Sequence, residues 1–339
     1  MTIALPRAIG FSLGHMAGDG ATAGGAGVFE GQRRRLFGLA YRLLGSAADA
    51  EDIVQDAFLR WEAAGQQEIG NPAAWLTRAV TNLCLTELAS ARQRRERYAG
   101  TWLPEPVLTG GGDLGPLETA EQRESVSMAL LLILENLTPP ERAVFVLHEA
   151  FGYRYAEIGA ILGRSEAACR QLAHRAAGRV REARHAARVS ARAAAPGTAE
   201  SARPLIERFL AAAGAGDVAG LEELLAEDVV SWSDGGGKFP AGMRPVYGHA
   251  KVIRLLASLG PALLGGAPAT GAARAYAGVR EAGIEFTRAE VNGAPAMLAW
   301  SGGRLFAVVI PEFGPAGITA LYSVVNPGKL AFAAKAAAR

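Results

Sequence analysis

The sequence predicts a multidomain chain, with two all-α helical domains followed by an α+β domain. Three observations lead there. Apolar residues recur at helical spacing from Phe29 to Arg188, broken once by the proline- and glycine-rich stretch "AGTWLPEPVLTGGGDLGPLET" over 99–119. A second break, "AAAPGTAE", falls near 196. Beyond it, strand-length apolar runs are separated by "NG", "SGG" and "GPAG" turns. A length of 339 residues fits two or three domains at roughly 100–200 residues each.

Taken in order, residues 1–28 lack the charged start and apolar core of a signal peptide and are expected to form a disordered extension. The first helical domain spans 29–98. "FEGQRRRLFGLAYRLLG" ends at Gly45, a helix stop. "SAADAEDIVQDAFLRWEAA" carries Asp49, Glu51 and Asp52 near its start, where they complement the helix dipole, and Ile53, Val54, Ala57, Phe58 and Trp61 as its apolar stripe. "NPAAWLTRAVTNLCLTELASARQRRER" offers Asn71 as N-cap and Pro72 at the first helical position, and it ends strongly basic. Residues 99–119 then read as a linker.

The second helical domain spans 120–189, with a short linker over 190–200. Within it, "YAEIGAILG", a turn at Gly163-Arg164 and a helix capped by Ser165 have helix-turn-helix order. On the second helix Cys169, Leu172, Ala176 and Val180 fall on one side. Ala167, Arg170, Gln171, His174 and Arg181 fall on the other. Arginine and glutamine suit base edges, alanine permits close approach, and Arg164 and Arg175 flank the face as phosphate contacts. The alternative is a solvated arginine face on a bundle helix.

The α+β domain spans 201–325. Helical stretches at 201–214 and 217–226 lead to "DVVSWSDGG", in which Val230, Trp232 and Asp234 share a strand face. A helix over 249–264 follows, then strand runs near 274–290, 295–301, 304–313 and 317–325, expected to build a curved antiparallel sheet. A tail covers 326–339.

Composition excludes several functions. The net charge of +2 selects no partner by itself. Cys84 and Cys169 stand alone among apolar residues, and the five histidines form no metal-ligand pair, so no metal or cofactor is expected. No apolar run approaches the ~20 residues that cross a bilayer, and a cytoplasmic protein without membrane contact is expected. "DGGGK", Asp234-Gly235-Gly236-Gly237-Lys238, is not a phosphate-binding P-loop. Phe239 follows the lysine where Ser or Thr is required, and Trp232 occupies the leading glycine position.

The motifs "DAEDIVQDAFLRW", "NPAAWLTRAVTNLCLTEL" and "LTPPERAVFVLHEAFGYRYAEIGAILGRSEAACRQLAHRA" resemble regions 2 and 4 of extracytoplasmic-function (ECF) RNA polymerase sigma factors, over about 29–189. The resemblance implies core RNA polymerase (its β′ clamp helices and β flap) and promoter DNA as partners. It places polymerase contacts at Asp52, Gln55 and Asp56. It places readers of the −10 element at Asn71, Trp75, Arg78 and Asn82, with Arg92, Arg94, Arg95 and Arg97 on upstream phosphates; at the fourth helical position, Trp75 reads as a core anchor ahead of a base-stacking residue. Readers of the −35 element fall at Arg164, Ala167, Arg170, Gln171, His174 and Arg175.

The element order after 200 resembles a SnoaL-like (nuclear-transport-factor-2-like) cone. "WLPEP" (Trp102, Leu103, Pro104, Glu105, Pro106), "DGGGK" and "NPGKL" (Asn326, Pro327, Gly328, Lys329, Leu330) together resemble sigma factors fused to such an extension. That group implies regulation in cis in place of a separate anti-sigma factor, with those motif residues as contacts. Gly328 stands where an aspartate is common, which puts charge pairing by the tail in question. A small-molecule ligand in the cone pocket, or catalysis by Asp234 and His249 in a cavity lined by Trp232 and Phe286, is the alternative; no catalytic residue is assigned.

Overall fold

The computed structural model describes residues 25–65, 69–96, 98–110, 114, 120–190, 204–205, 207–209, 211–212, 215, 217–239, 243–264, 279, 283–314 and 317–338. Expectations for 1–24, 191–200 and most of 274–282 lie outside them. Helix α1 (Gly25–Leu44) begins before the expected Phe29, so the last four residues assigned to a disordered extension belong to its first turn. It stops at Gly45, whose φ of 67° is open to glycine at no steric cost. Helix α2 (Ala47–Ala63) is capped by Ser46, whose side chain accepts from the Asp49 amide at 3.1 Å, and it buries Ile53, Val54, Ala57 and Trp61. Helix α3 (Pro72–Glu96) starts with Asn71 Oδ1 accepting from the Ala74 amide at 3.0 Å.

After a short stretch from Tyr98, residues 101–109 form no helix, Leu108 bridges to Val291, and Leu103 to Val107 are buried. The proline-rich segment read as a linker is therefore a strap threaded between the helices and the C-terminal sheet. Prolines suit such a strap because they hold φ without needing a hydrogen-bond acceptor for an amide.

Helices α4 (Ala120–Glu124), α5 (Met128–Leu134) and α6 (Pro139–Phe145) follow, and α6 runs into a wider π-type turn at Val146–Ala150. Then come α7 (Tyr155–Leu162), a left-handed Gly163 at φ 65° and α8 (Glu166–Ser190), with Ser165 Oγ accepting from the Ala168 amide. The two helical blocks share one hydrophobic core. Leu36, Leu39, Leu43, Trp61, Leu76 and Val80 of the first pack with Leu131, Leu134, Val144, Leu147, Ile158 and Leu172 of the second.

The C-terminal part comprises α9 (Val218–Leu224), β1 (Leu225–Asp234), β2 (Val246–Tyr247), α10 (His249–Leu264), β3 (Ile284–Val291), β4 (Ala294–Ser301), β5 (Arg304–Gly314), β6 (Gly317–Val324) and α11 (Pro327–Ala337). The sheet order is β2-β1-β6-β5-β4-β3. The expected antiparallel sheet is corrected to a mixed one, because β1 pairs with β6 in parallel, Trp232 opposite Tyr322. Side-chain alternation fixes which face a residue occupies but not which strand lies beside it. The inner face (Val229, Met297, Val309, Leu321) packs against Leu221 and Leu224 of α9 and Val252 of α10. On the outer face, Leu298, Val308, Ile310, Ala320, Tyr322 and Val324 pack against Leu103 of the strap, Met128 of α5 and Leu330 of α11.

Candidate functional site

Helix α8 carries an exposed polar face. Gly163 allows a tight turn into α8, and Cys169, Leu172, Ala176 and Val180 anchor its buried side. Arg164, Ala167, Arg170, Gln171, His174, Arg175 and Arg181 are all exposed. Several arginines of α8 are engaged within the chain. Arg170 pairs with Glu166 one turn earlier. Arg175 and Arg179 reach the buried Glu141 of α6 at 3.1 and 2.8 Å, which helps hold α8 on its supporting helix. Hydrogen bonds from Thr138 and these arginines keep the Glu141 carboxyl below its usual range despite its burial. Arg175 therefore has an internal partner as well as the phosphate role expected of it.

On α2, Asp52, Gln55 and Asp56 are exposed beside Leu59, opposite the buried stripe. On α3, Asn82 is exposed, while Asn71, Trp75 and Arg78 are half-buried. Trp75 packs on Trp61 with ring centroids 5.6 Å apart, the geometry of a core anchor. The side chains of Arg92 and Arg94, and the whole of Arg97, lie outside the described residues. Arg95 does not face duplex DNA in this arrangement. Its guanidinium pairs with Glu135 of α5, donates to the Leu44 carbonyl and lies 4.0 Å from the Trp102 ring. Glu135 also holds Arg142 at 2.9 Å, and Arg142 donates to the Leu43 carbonyl at 2.8 Å. Two arginines linked by one glutamate thus cap the carbonyl end of α1, where the helix dipole favours cations. Burial lowers the Arg142 pKa to about 10, and it remains charged at neutral pH.

The three short motifs meet at one junction. Asp234, fully buried at the end of β1, accepts from the Leu103 amide of the strap at 2.8 Å and from Tyr98 Oη at 2.5 Å. It also accepts from the Gly236 amide at 3.0 Å and from Lys329 Nζ at 2.7 Å. Lys329 donates again to the Leu103 carbonyl and lies over the rings of Trp102 and Tyr98. Burial lowers its pKa to about 8, against the pull of Asp234. Asn326 caps α11 through the Gly328 amide and donates to Tyr98 Oη at 2.7 Å. Gly236 is required here, since a Cβ on it would stand 2.3 Å from Asn326 Nδ2. The tail does pair charge, through Lys329 rather than through a carboxylate at 328. Lys238, the motif's own lysine, is exposed and has no side-chain partner among the described residues.

Glu105 of the strap is buried on the start of α2. Its carboxylate accepts from the Ala47 and Ala48 amides at 2.9 and 3.0 Å and from Ser46 Oγ at 3.0 Å. Burial raises its pKa, partly offset by those donors. A groove of about 590 Å³ runs beside it, lined by Asp49, Asp52, Asp56, Tyr98, Trp102 and Glu105.

The residues of the enzymatic alternative do not converge. Trp232 lies on the outer face of the sheet and Phe286 on the inner. His249 places Nε2 3.0 Å from the Glu222 carbonyl at the end of α9, and Asp234 is committed to the junction.

Comparison with known proteins agrees with this geometry. Sigma-70 region 2 matches residues 28–95 and Sigma-70 region 4 matches 127–180. The chain is 39% identical over 305 residues to the ECF RNA polymerase sigma factor SigJ of Mycobacterium tuberculosis, covering 89% of this chain and 91% of that one. The chain belongs to the ECF RNA polymerase sigma factors. The crystal structure of M. tuberculosis SigJ superposes with a TM-score of 0.64 at 34% identity, covering 90% of this chain and 98% of that one. The probable ECF sigma factor SigI of the same species is 35% identical over 61% of this chain.

In sigma-factor terms, regions 2 and 4 are packed on each other and on a SnoaL-like cone through the strap. Tyr153, in the loop before the helix-turn-helix, hydrogen-bonds with Thr77 of α3 at 3.1 Å and with Arg35 of α1. Sequence reasoning missed Tyr98, Asn292, Glu135 and Arg142. Only Asn292 carried a signal, and that signal was for a turn.

Proposed function

We propose that this ECF sigma factor directs core RNA polymerase to promoters and that its SnoaL-like domain controls it in cis by holding regions 2 and 4 together. One observation carries the proposal: regions 2 and 4 share a single buried core, closed over by the strap that Asp234 and Lys329 grip. Elements named −10 and −35 lie about 25 base pairs apart, on the order of 80 Å of duplex. Two domains packed on one core cannot span that length, so promoter binding requires them to separate.

In the separated form, Asn82, Arg78 and Asn71 of region 2 meet the −10 element, and Trp75 supports them from the core. Ala167, Arg170, Gln171 and His174 read the −35 element, flanked by Arg164 and Arg175 on phosphates. Asp52, Gln55 and Asp56 dock on the β′ clamp helices of core polymerase. The groove joining Asp52 and Asp56 to Trp102 and Glu105 puts the strap against that docking face, which gives the cone a route to polymerase binding. The protein acts where polymerase is, in the cytoplasm, and works without an enzymatic activity of its own.

The test is initiation by core polymerase on candidate promoters with the full chain and with Asp234→Asn. Specific initiation by the full chain and a higher output from the variant are expected. Initiation no more specific than that of core alone would remove the sigma assignment. Unchanged output from a variant whose strap is shown to be released would remove control in cis.

A further inference from the structure

The tip of the β3–β4 hairpin is Asn292-Gly293, at φ 54° and 71°. A two-residue turn of this kind needs only residues that tolerate positive φ, and Asn-Gly satisfies it. Hairpin tips ordinarily face solvent. This one is 1% exposed at Asn292 and reaches three other segments. Asn292 Nδ2 donates to Tyr41 Oη of α1 at 2.5 Å and to the Val126 carbonyl before α5 at 2.8 Å. Its Oδ1 accepts from the Val107 amide of the strap at 3.1 Å, and its own amide donates to the Val107 carbonyl at 2.9 Å. One side chain therefore bonds region 2, region 4 and the strap at once. None of these bonds is needed to make the turn.

Neighbouring contacts reinforce the placement. The Thr109 amide donates to the Glu290 carbonyl at 2.8 Å, Thr109 Oγ1 donates to the Glu290 carboxylate at 2.7 Å, and the Gly293 amide reaches Thr109 Oγ1 at 3.2 Å. Residues 107–109 thus add to the edge of β3, with Leu108 bridged to Val291. A Cβ on Gly293 would stand 3.0 Å from the Arg123 carbonyl of α4, so the turn sits hard against region 4. Tyr41 Oη in turn donates a hydrogen bond to the Glu105 carbonyl at 2.6 Å, and the carboxylate of that residue caps α2. The hairpin tip is therefore linked to the start of the polymerase-facing helix.

We propose that the Asn292 side chain is a clamp holding regions 2 and 4 closed, separate from the Asp234–Lys329 junction and sharing no residue with it. The proposal rests on the control in cis proposed above. Separating region 2 from region 4 must break the Asn292 bonds on at least one side, and breaking them leaves buried donors and acceptors without partners.

Asn292→Gly tests this cleanly, because Gly-Gly makes the same turn and only the side-chain bonds are lost. The full chain is spin-labelled at Glu62→Cys on α2 and Glu182→Cys on α8, both exposed. Cys84 and Cys169 are buried with thiols pushed up by desolvation, and they label slowly. The measurement is the inter-label distance distribution in the free protein. The parent shows one short, narrow distance, and Asn292→Gly adds a long-distance population larger by about tenfold or more, on the scale of two or three lost hydrogen bonds. Tyr41→Phe, which removes one hydroxyl, moves the same way by less. A narrow short distance in Asn292→Gly, alongside opening by Asp234→Asn, overturns the clamp and leaves control in cis standing. A parent that is already widely separated overturns both.

Discussion

The C-terminal sheet is buried on both faces, but by different chemistry. Among the described residues its inner face meets the domain's own helices, through Met297, Val309 and Leu321 against Leu224 and Val252. Its outer face meets the sigma regions and the strap. There the apolar contacts of Leu298, Ile310 and Tyr322 are bordered by buried polar groups: Asp234, Lys329, Asn326 and Asn292. Apolar burial is non-directional and approximately proportional to area. Buried polar groups lose several kcal/mol if left unpaired, so they fix register and make separation abrupt. The inner face makes the domain; the outer face makes an interface with the sigma regions and the strap. Pairing of the tail with β1 and the strap belongs to the second kind.

The largest expected effect on that contrast comes from Asp234→Asn. It leaves Lys329 buried without its counter-charge and removes one of the two carboxylate oxygens that accept from Tyr98 and Leu103, at a cost of about 4 kcal/mol on the scale of a broken buried pair. Faster amide exchange over 327–337 and at the strap is expected, with α2 and α3 still folded. Protection of α11 matching the parent's would mean that the polar border contributes no more than the apolar one.

Next in size is Leu321→Ala on the inner face, expected to cost about 3 kcal/mol through a cavity. Denaturant unfolding should show the loss, while promoter output per folded molecule stays at the parent value. If output rose as it does for Asp234→Asn, the two faces would not be functionally distinct.

The extent to which this was legible beforehand follows the same division. Apolar periodicity marked the stripe of α2, the buried side of α8 and the strands, because burial of that kind is written locally. "NG" and "SGG" marked turns because positive φ restricts residue choice. The strap was misread, since prolines and glycines look alike in a slack linker and in a buried extended segment. Arg95 was read as a phosphate contact from its place in a basic run, yet its partner Glu135 is remote in sequence. The parallel pairing of β1 with β6 and the union of Asp234 with Lys329 depend on which distant segments meet. The motifs "WLPEP", "DGGGK" and "NPGKL" pointed to such a meeting only through resemblance.

A third, smaller effect concerns pH. The docked Lys329 has a pKa of about 8, against 10.5 for a free lysine. Between those values the undocked form holds a proton that the docked form has released, so docking gains stability as pH rises. At 1.36 kcal/mol per unit, the gain is about 2 kcal/mol between pH 8 and 10. Lys329→Met should lack this slope, so the parent-minus-variant difference in unfolding free energy should grow in the parent's favour with pH. It should also cost less than Asp234→Asn at pH 7, because the lysine carries a desolvation penalty that methionine does not. A difference that shrinks with pH would show an ordinary ion pair that weakens as its cation is lost.

The smallest effect separates the two lysines of the motifs. Lys329 is buried against Asp234, whereas Lys238 projects from the glycine turn, and among the described residues only its backbone is engaged, donating to the Gly235 carbonyl at 3.0 Å. A side chain this exposed contributes little, and Lys238→Ala should shift stability by no more than about 0.5 kcal/mol. It should leave exchange at α11 and the strap unchanged. The charge that "DGGGK" contributes to the closed form is then that of Asp234 alone, and the glycines serve to let Asn326 approach. A loss above about 1 kcal/mol would place Lys238 inside the polar border and extend the outer-face interface around the turn.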